Sequence, residues 1–427
     1  MRYGSYPYYG FYPGFEYLEP YCLMYLDFKG PEVFETNFTG YLYGHQGQIP
    51  VASSGGIIHR TGMNGTDGLR RKGIQLANGA TNKVLNPVSG GAGNIAALGA
   101  ATFLIGSMLK GFSWRTSTYV STTAAANDGV SYTLSALANA IHFVTVALDV
   151  QISTQQWSLD GATWNVPIYL GPYNGWYMYG FQFPAAQANG SVLLRIRQSD
   201  ATARVFHVGH AQVEQTNYPT ATLHGAMGTG HAWTGAAHAS TSTRTVSQLR
   251  YGLTNLTPSK GSFVVWWLNN TCSTTTQYGQ PNRRIFEYYY DVNNQIVLFS
   301  NTVNTRMPTL YTISGGAAVD ATSTLNTPQG WNYLVATWKV GNPLSIYLNG
   351  VLAGMSGANY VLPAGAATVF TIGDDQGGGN SVDGVLAGVG TFDKVLTANE
   401  VALTYRLGMP LGLYPRVALS ECGDVHR

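Results

Sequence analysis

Trp157, Trp164, Tyr169, Tyr173 and Trp176 fall within one twenty-residue stretch. Exposed aromatic rings beside Asn, Gln and Asp are the side chains with which a protein stacks on sugar rings. Trp157 and Trp164 flank Asp160-Gly161, a pair suited to a tight hairpin turn, so one of the two indoles is expected to face solvent. The structural alternative is that strand aromatics fill a core, which is the reading for Trp176, Trp266, Trp331 and Trp338. The glycan-binding candidates are therefore Trp157, Trp164, Tyr169 and Tyr173. Catalysis has a weaker footing. Glu287 and Asp291 are four apart in a strand-like run, so both lie on one face. Retaining glycoside hydrolysis uses two carboxyl groups about 5 Å apart in such a setting. No third acid follows, and Asp291 precedes the turn-forming Asn293-Asn294, so Glu287 and Asp291 read as edge acids and no catalytic residue is assigned. His207, His210, His224, His231 and His238 are close in sequence, but their spacing matches no compact metal-ligand motif. Hydrogen-bonding histidines are the expectation there. Adjacent Asp374 and Asp375 offer hard oxygen ligands, and they could equally close a turn by accepting backbone N–H bonds. No nucleophile elbow and no phosphate-binding loop is present.

The elements that must position these residues are strands. YTLSALA, HFVTVALDVQI, WYMYGFQFP, SVLLRIRQ and RVFHVGHAQVE are strand-length runs rich in β-branched and aromatic residues, divided by Gly, Asn and Asp turn signals. A second series begins with SFVVWWLNN, RRIFEYYYD, QIVLFSN and TLYTIS. It continues with WNYLVATW and LSIYLNG, joined by a turn at Gly341-Asn342-Pro343, and Asn349-Gly350 supplies the positive φ of a following hairpin. Thr397 and Glu400 form a capping-box pattern before Val401, Leu403 and Tyr405, which predicts a short helix. The fold class expected is all-β: two antiparallel β-sandwich, jelly-roll domains behind an extended, loop-rich N-terminal arm.

Composition bounds the function. At 427 residues two or three domains are the natural reading. Charged residues make up 10%, while 52 glycines and 28 tyrosines are high, a balance that suits β-rich modules with polar, uncharged faces. A net charge of +2 gives no electrostatic case for nucleic acid or an anionic membrane surface. Cys22, Cys272 and Cys422 are too few and scattered for a disulfide framework or zinc site. The first residues lack the apolar core of a signal peptide, and no run is long enough for a membrane span. The expectation is synthesis in a cytoplasm. Tyr3, Tyr6, Tyr8, Tyr9, Tyr12, Tyr17 and Tyr21 alternate with proline and glycine in a segment that cannot form its own core. Two readings stand for this arm: docking on another subunit, or folding back on its own chain.

Several stretches resemble known families. The order of strand, hairpin, glycine loop, strand and helix over 330–405 resembles the last third of a laminin G-like, concanavalin A-like jelly roll. Lys72-Gly73-Ile74-Gln75-Leu76 and Ala80-Thr81-Asn82-Lys83-Val84-Leu85-Asn86-Pro87 resemble the lead-in to binding modules of phage structural proteins. Ala211-Gln212-Val213-Glu214 with Tyr218-Pro219-Thr220 is similar to the last strand of carbohydrate-binding-module-like sandwiches in phage tail and virion proteins. Trp233, Gly235, His238, Ser240, Ser242 and Arg244 resemble the run that introduces a laminin G-like domain in such proteins.

The organisation implied is a tyrosine-rich assembly arm (1–30), a loop-rich lead-in (31–87), a carbohydrate-binding-module-like sandwich (88–220) and a linker (221–245). A laminin G-like sandwich (246–413) and a C-terminal tail (414–427) follow. The resemblance implies a non-enzymatic virion structural protein, a tail-fibre component or surface decoration. Its partners would be other virion subunits, in a homo-oligomer, and a host-surface glycan. A prokaryotic surface adhesin or sheath subunit and a glycan-degrading jelly-roll enzyme are the alternatives. No cofactor is required on this reading. The laminin G likeness implies calcium on a loop rim at Asp374 and Asp375, completed by Asp383 or Asp320.

Overall fold

The computed structural model describes the backbone of strands Cys22–Asp27, Thr39–Gly44, Gly47–Ala52, His59–Gly62 and Lys72–Leu76. It further describes residues 79–88, 93–107, 117–173, 176–217, 219–220, 223, 225, 231–244, 249–269, 282–301, 307–328, 330–382 and 384–406. Two antiparallel β-sandwiches dominate. In the first, a four-stranded sheet runs in the order Gln155–Ser158, Leu193–Gln198, Gly129–Thr133, Ile95–Leu98. A six-stranded sheet faces it, in the order Ile168–Tyr173, Trp176–Phe183, His142–Leu148, Val205–Glu214, Ser117–Ser121, Thr102–Ser107. Alternation along each strand explains the core: Tyr132, Trp157, Leu194 and Ile196 from one sheet meet Val144, Val146, Phe183 and Val208 from the other.

The second sandwich pairs a six-stranded sheet with an eight-stranded one. The turns expected at Gly341 and at Asn349-Gly350 are present, each with positive φ, between strands Gly330–Lys339, Pro343–Leu348 and Val351–Asn359. The helix is Ala398–Arg406. Its capping box is closed in both directions: Thr397 N donates to Glu400 Oε2 at 2.8 Å, and Glu400 N to Thr397 Oγ1 at 3.4 Å. Val401 is buried under the helix, and Tyr405 stacks on Trp266 and Tyr333. Leu403, two residues from Val401 and so on the opposite side of the helix, is exposed. Among the described residues no helix is long and apolar enough to cross a membrane.

The N-terminal segment departs from the expected loop. Strand Gly384–Phe392 of the second sandwich pairs along one edge with Lys260–Asn269. Its other edge is shared: Lys72–Leu76 takes Gly384 to Leu386, and Cys22–Asp27 takes Gly388 to Phe392. An unpaired edge of a central strand would leave a row of backbone N–H and C=O groups without partners. The end of the 1–30 arm is therefore a strand within its own chain, the second of the two readings for that part. Tyr3, Tyr6, Tyr8, Tyr9, Tyr12, Tyr17 and Tyr21 lie outside the described residues. The lead-in also reaches the first sandwich. Val84 is fully buried in its core, although that domain was expected to start at 88.

One side chain ties these parts together. Asn82 ends the short strand Ala80–Asn82, which pairs with Ser242–Arg244, itself paired with His231–Trp233. Asn82 is completely buried. Its Nδ2 donates to Ala211 O (3.1 Å) and Leu223 O (3.0 Å), and its Oδ1 accepts from Val84 N and Val213 N, both at 3.0 Å. Alanine at 82 strips two buried N–H groups and two carbonyls of their partner. We expect Asn82→Ala to destabilise the first sandwich by about 2–4 kcal/mol in a denaturant titration. Loss of under about 0.5 kcal/mol would show that the clasp is dispensable.

Candidate functional site

The aromatic candidates separate in space. Trp157 is completely buried in the first core, with its Nε1 donating to Gln155 Oε1 at 3.0 Å. Its indole has no free face, which corrects its place among the sugar platforms. Strand alternation points it inward while the next residue, Ser158, points out. Tyr169 is 39% exposed but belongs to the other sheet, where its ring lies against Tyr177 and Tyr179. Burial and the neighbouring Tyr177 push its hydroxyl pKa upward. Tyr173 lies in the same strand as Tyr169, and its side chain is outside the described residues. Trp176 is buried over Gly209, where a Cβ would come within 2.5 Å of the indole, so only glycine fits.

Trp164 lies on the outer face of the four-stranded sheet, partly accessible. The Asp160-Gly161 turn forms as expected: Gly161 has φ +80°, and Asp160 Oδ1 accepts from Ala162 N, Thr163 N and Ser158 Oγ. Burial alone would raise the Asp160 carboxyl, but these hydrogen bonds hold it below the ordinary range. Asn165 then bridges Trp157 across the hairpin, which sets Trp164 opposite Ser158 on the outer face of the four-stranded sheet. There the half-buried indole lies over the guanidinium of Arg197, 3.5 Å from Arg197 Cζ to the ring centroid. Gln156 Oε1 accepts from both Arg197 Nε (3.2 Å) and Nη2 (2.8 Å) and so fixes the fork. Burial draws the Arg197 pKa downward. Arg195, two residues back on the same strand face, donates from Nη1 to Leu159 O at 3.0 Å. Arg195, Arg197 and Gln156 were not singled out from the sequence. Their signal was the strict alternation of LLRIRQ, which sets both arginines on the face opposite Leu194 and Ile196.

The acidic positions close loops. Glu287 is buried, with Arg284 Nη1 at 3.1 Å and Gln376 N donating at 2.6 Å. Burial raises its carboxyl pKa, and Arg284 offsets part of this. Asp291 is exposed and caps its turn by accepting from Asn293 N and Asn294 Nδ2. Asp374 is completely buried and its Oδ1 accepts from Asp375 N (2.7 Å) and Asn380 N (2.9 Å). Asp375 accepts from Gly379 N and Asn380 Nδ2, which outweigh burial and hold its carboxyl below the usual range. These lone pairs serve the loop itself. Among the described residues no group of three or more His, Cys, Asp or Glu is placed to hold a metal ion. Asp374 and Asp375 thus close their turn with these bonds, and Asp383, named with them for calcium, lies outside the described residues. His207 and His210 are hydrogen-bonding groups: His207 Nδ1 meets Asp149 Oδ2 at 2.8 Å, and His210 Nε2 meets Leu223 O at 3.2 Å.

An antiparallel sandwich with its C-terminal helix packed on one sheet defines the second unit as a lectin-type β-domain. Residues 253–402 match the family model of the concanavalin A-like lectin/glucanases superfamily, of laminin G type, and this part of the chain is a laminin G-like domain. No curated protein matches the chain in sequence. Among solved structures it is similar to domain 4 of an extracellular GH43 arabinanase from Geobacillus stearothermophilus in complex with arabinotriose. That likeness has 21% identity over 37% of this chain and 71% of the other, with a TM-score of 0.30. The receptor-binding domain of botulinum neurotoxin mosaic serotype C/D shares 13% identity over 37% of this chain and 38% of its own, at a TM-score of 0.28. For a Trypanosoma rangeli sialidase the identity is 11%, over 39% of this chain and 27% of that one, at a TM-score of 0.29. The chain thus spans well under half the length of the last two.

The buried Asp374 gives the laminin G-like domain a pH signature. Burial pushes its carboxyl up to about 7 from an ordinary value of 3.8, and among the described residues its Oδ2 has no hydrogen-bond partner. Between those two values the folded state binds more protons than the unfolded state. Stability from this group is full below about pH 4 and falls as pH rises through about 7. Asp374→Asn, uncharged throughout, is expected to flatten the melting temperature of this domain between pH 5 and pH 8. A parent protein whose melting temperature does not fall over that range would contradict the assignment.

Proposed function

We propose that this chain is a non-enzymatic structural protein of a virus particle, a tail-fibre component or surface decoration, that attaches to surface glycan. The observation that carries the binding part is the half-buried Trp164 stacked on Arg197, on the outer face of the first sandwich. An indole held from one side by a guanidinium leaves its other face and edges for a ligand. The adjoining Gln156, Arg195 and Arg197 supply hydrogen-bond donors and acceptors around it. The lectin/glucanase description of the second domain favours a role in carbohydrate recognition while leaving both binding and cleavage within the family. Binding without cleavage is favoured because Glu287 is held by Arg284 and Gln376 N, and Asp291 by its own turn. The virion part rests on the phage-type likeness of the lead-in, the Ala211 to Thr220 ending and the Trp233 to Arg244 run.

Incubation with surface polysaccharides should retain the chain without releasing reducing ends. Trp164→Ala should weaken retention about tenfold with an unchanged melting temperature, while Trp157→Ala should unfold the sandwich at a cost of about 3–5 kcal/mol. Release of oligosaccharide would replace this reading with an enzymatic one. For assembly, removal of residues 1–21 should abolish incorporation into particles and leave both sandwiches folded. Full occupancy by the shortened chain would refute the docking arm.

A further inference from the structure

Two arginines on the Trp164 face have neutral partners only. Arg195 and Arg197 sit two residues apart on strand Leu193–Gln198, so their side chains leave the same face about 6–7 Å apart. The residues set opposite them are also neutral: Arg195 pairs with Ser131 and Ser158, and Arg197 with Gly129 and Gln156. Their acceptors are a carbonyl, Leu159 O, and an amide, Gln156 Oε1. Asp160 is the acid next in sequence to this strand edge, and it spends its carboxylate on the turn. The ion pairs of Arg204 with Asp200 and of Arg284 with Glu287 do not involve Arg195 or Arg197.

Like charges at such spacing repel, and desolvation already disfavours the charge on Arg197. An anion between the two guanidinium groups would relieve both costs. Both guanidinium groups keep donors for it. Gln156 takes Nε and Nη2 of Arg197 and leaves Nη1, while Leu159 O takes Nη1 of Arg195 and leaves Nε and Nη2. Guanidinium edges match planar or tetrahedral oxyanions bidentately.

Resting on the glycan-binding reading above, we propose that this face takes an acidic glycan, its carboxylate or sulfate ester held between Arg195 and Arg197 and a sugar ring set against Trp164. The test is binding of the full chain to four polymers at about 0.15 M salt: polygalacturonate, its methyl ester, dextran sulfate and dextran. Preference for an acidic polymer over dextran by about tenfold or more is expected, and Arg195→Gln with Arg197→Gln should remove that preference. Loss on methyl esterification assigns a carboxylate, and response to dextran sulfate alone assigns a sulfate; either supports the proposal. Arg197→Lys, which keeps the charge and loses the fork, should weaken binding as well. Arg250→Gln, in the other domain, removes the same charge and should leave binding unchanged. Equal binding to dextran and the acidic polymers overturns the anion proposal and leaves the glycan reading standing. Equal losses in Arg250→Gln and the double variant overturn it as unspecific attraction. No binding to any polymer overturns both.

Discussion

Asn82 sits where three segments distant in sequence must meet without water. Its amide satisfies Val84 N beside it, Ala211 O and Val213 N on the last strand of the first sandwich, and Leu223 O beyond that strand. Asparagine is suited to this because one side chain carries two donors and an acceptor with two lone pairs, and all four are used. Gln212 extends the arrangement: its Oε1 accepts from Leu223 N at 2.7 Å, and its Nε2 donates to Thr220 Oγ1 at 3.0 Å. Thr220 in turn donates to Glu214. With the lead-in held here, the strand before it, Lys72–Leu76, can reach the second sandwich and cover part of the edge of Gly384–Phe392. Both sandwiches thus depend on a segment that composition alone would assign to loop.

Several stretches that resemble other proteins contain polar side chains that fasten neighbouring segments. Asn82 and Asn86 are buried in the lead-in, and Gln212 and Glu214 fasten the following chain. Trp233, Gly235, His238, Ser240, Ser242 and Arg244 build one hairpin. Gly235 N donates to Ser240 Oγ, His238 packs on Trp233 with φ +59°, and Ser242 pairs with Trp233. Turn chemistry was legible for a like reason. Asp160-Gly161, Asn349-Gly350 and the Thr397–Glu400 box act within a few residues, so local sequence determines them. The strand pairing of Cys22–Asp27 was not legible, because its partner lies more than 350 residues away. Polar clasps such as Asn82 look like loop residues until the partner segments are known.

The candidate site shows the same division. Aromatic content marked the Asp160-Gly161 hairpin, but which indole enters the core depends on strand parity: Trp157 does, and Trp164, offset by one from Asn165, the partner of Trp157, does not. Arg195 and Arg197 were overlooked because isolated arginines on a strand usually serve a solvated face. Here the strand opposite them offers serine and glutamine instead of carboxylates. Asp374 and Asp375 had a ligand-like spacing, but Asp374 Oδ1 and Asp375 Oδ1 accept from N–H groups of the 374–380 loop.

The proposed ligand surface is the outer face of the sheet that contains Gln155–Ser158 and Leu193–Gln198. A crystal structure of the chain with a trigalacturonate soak tests it directly. The expected result is a sugar ring against Trp164 with its carboxylate bridging Arg195 and Arg197. A trisaccharide seated elsewhere, with this face empty, would contradict it.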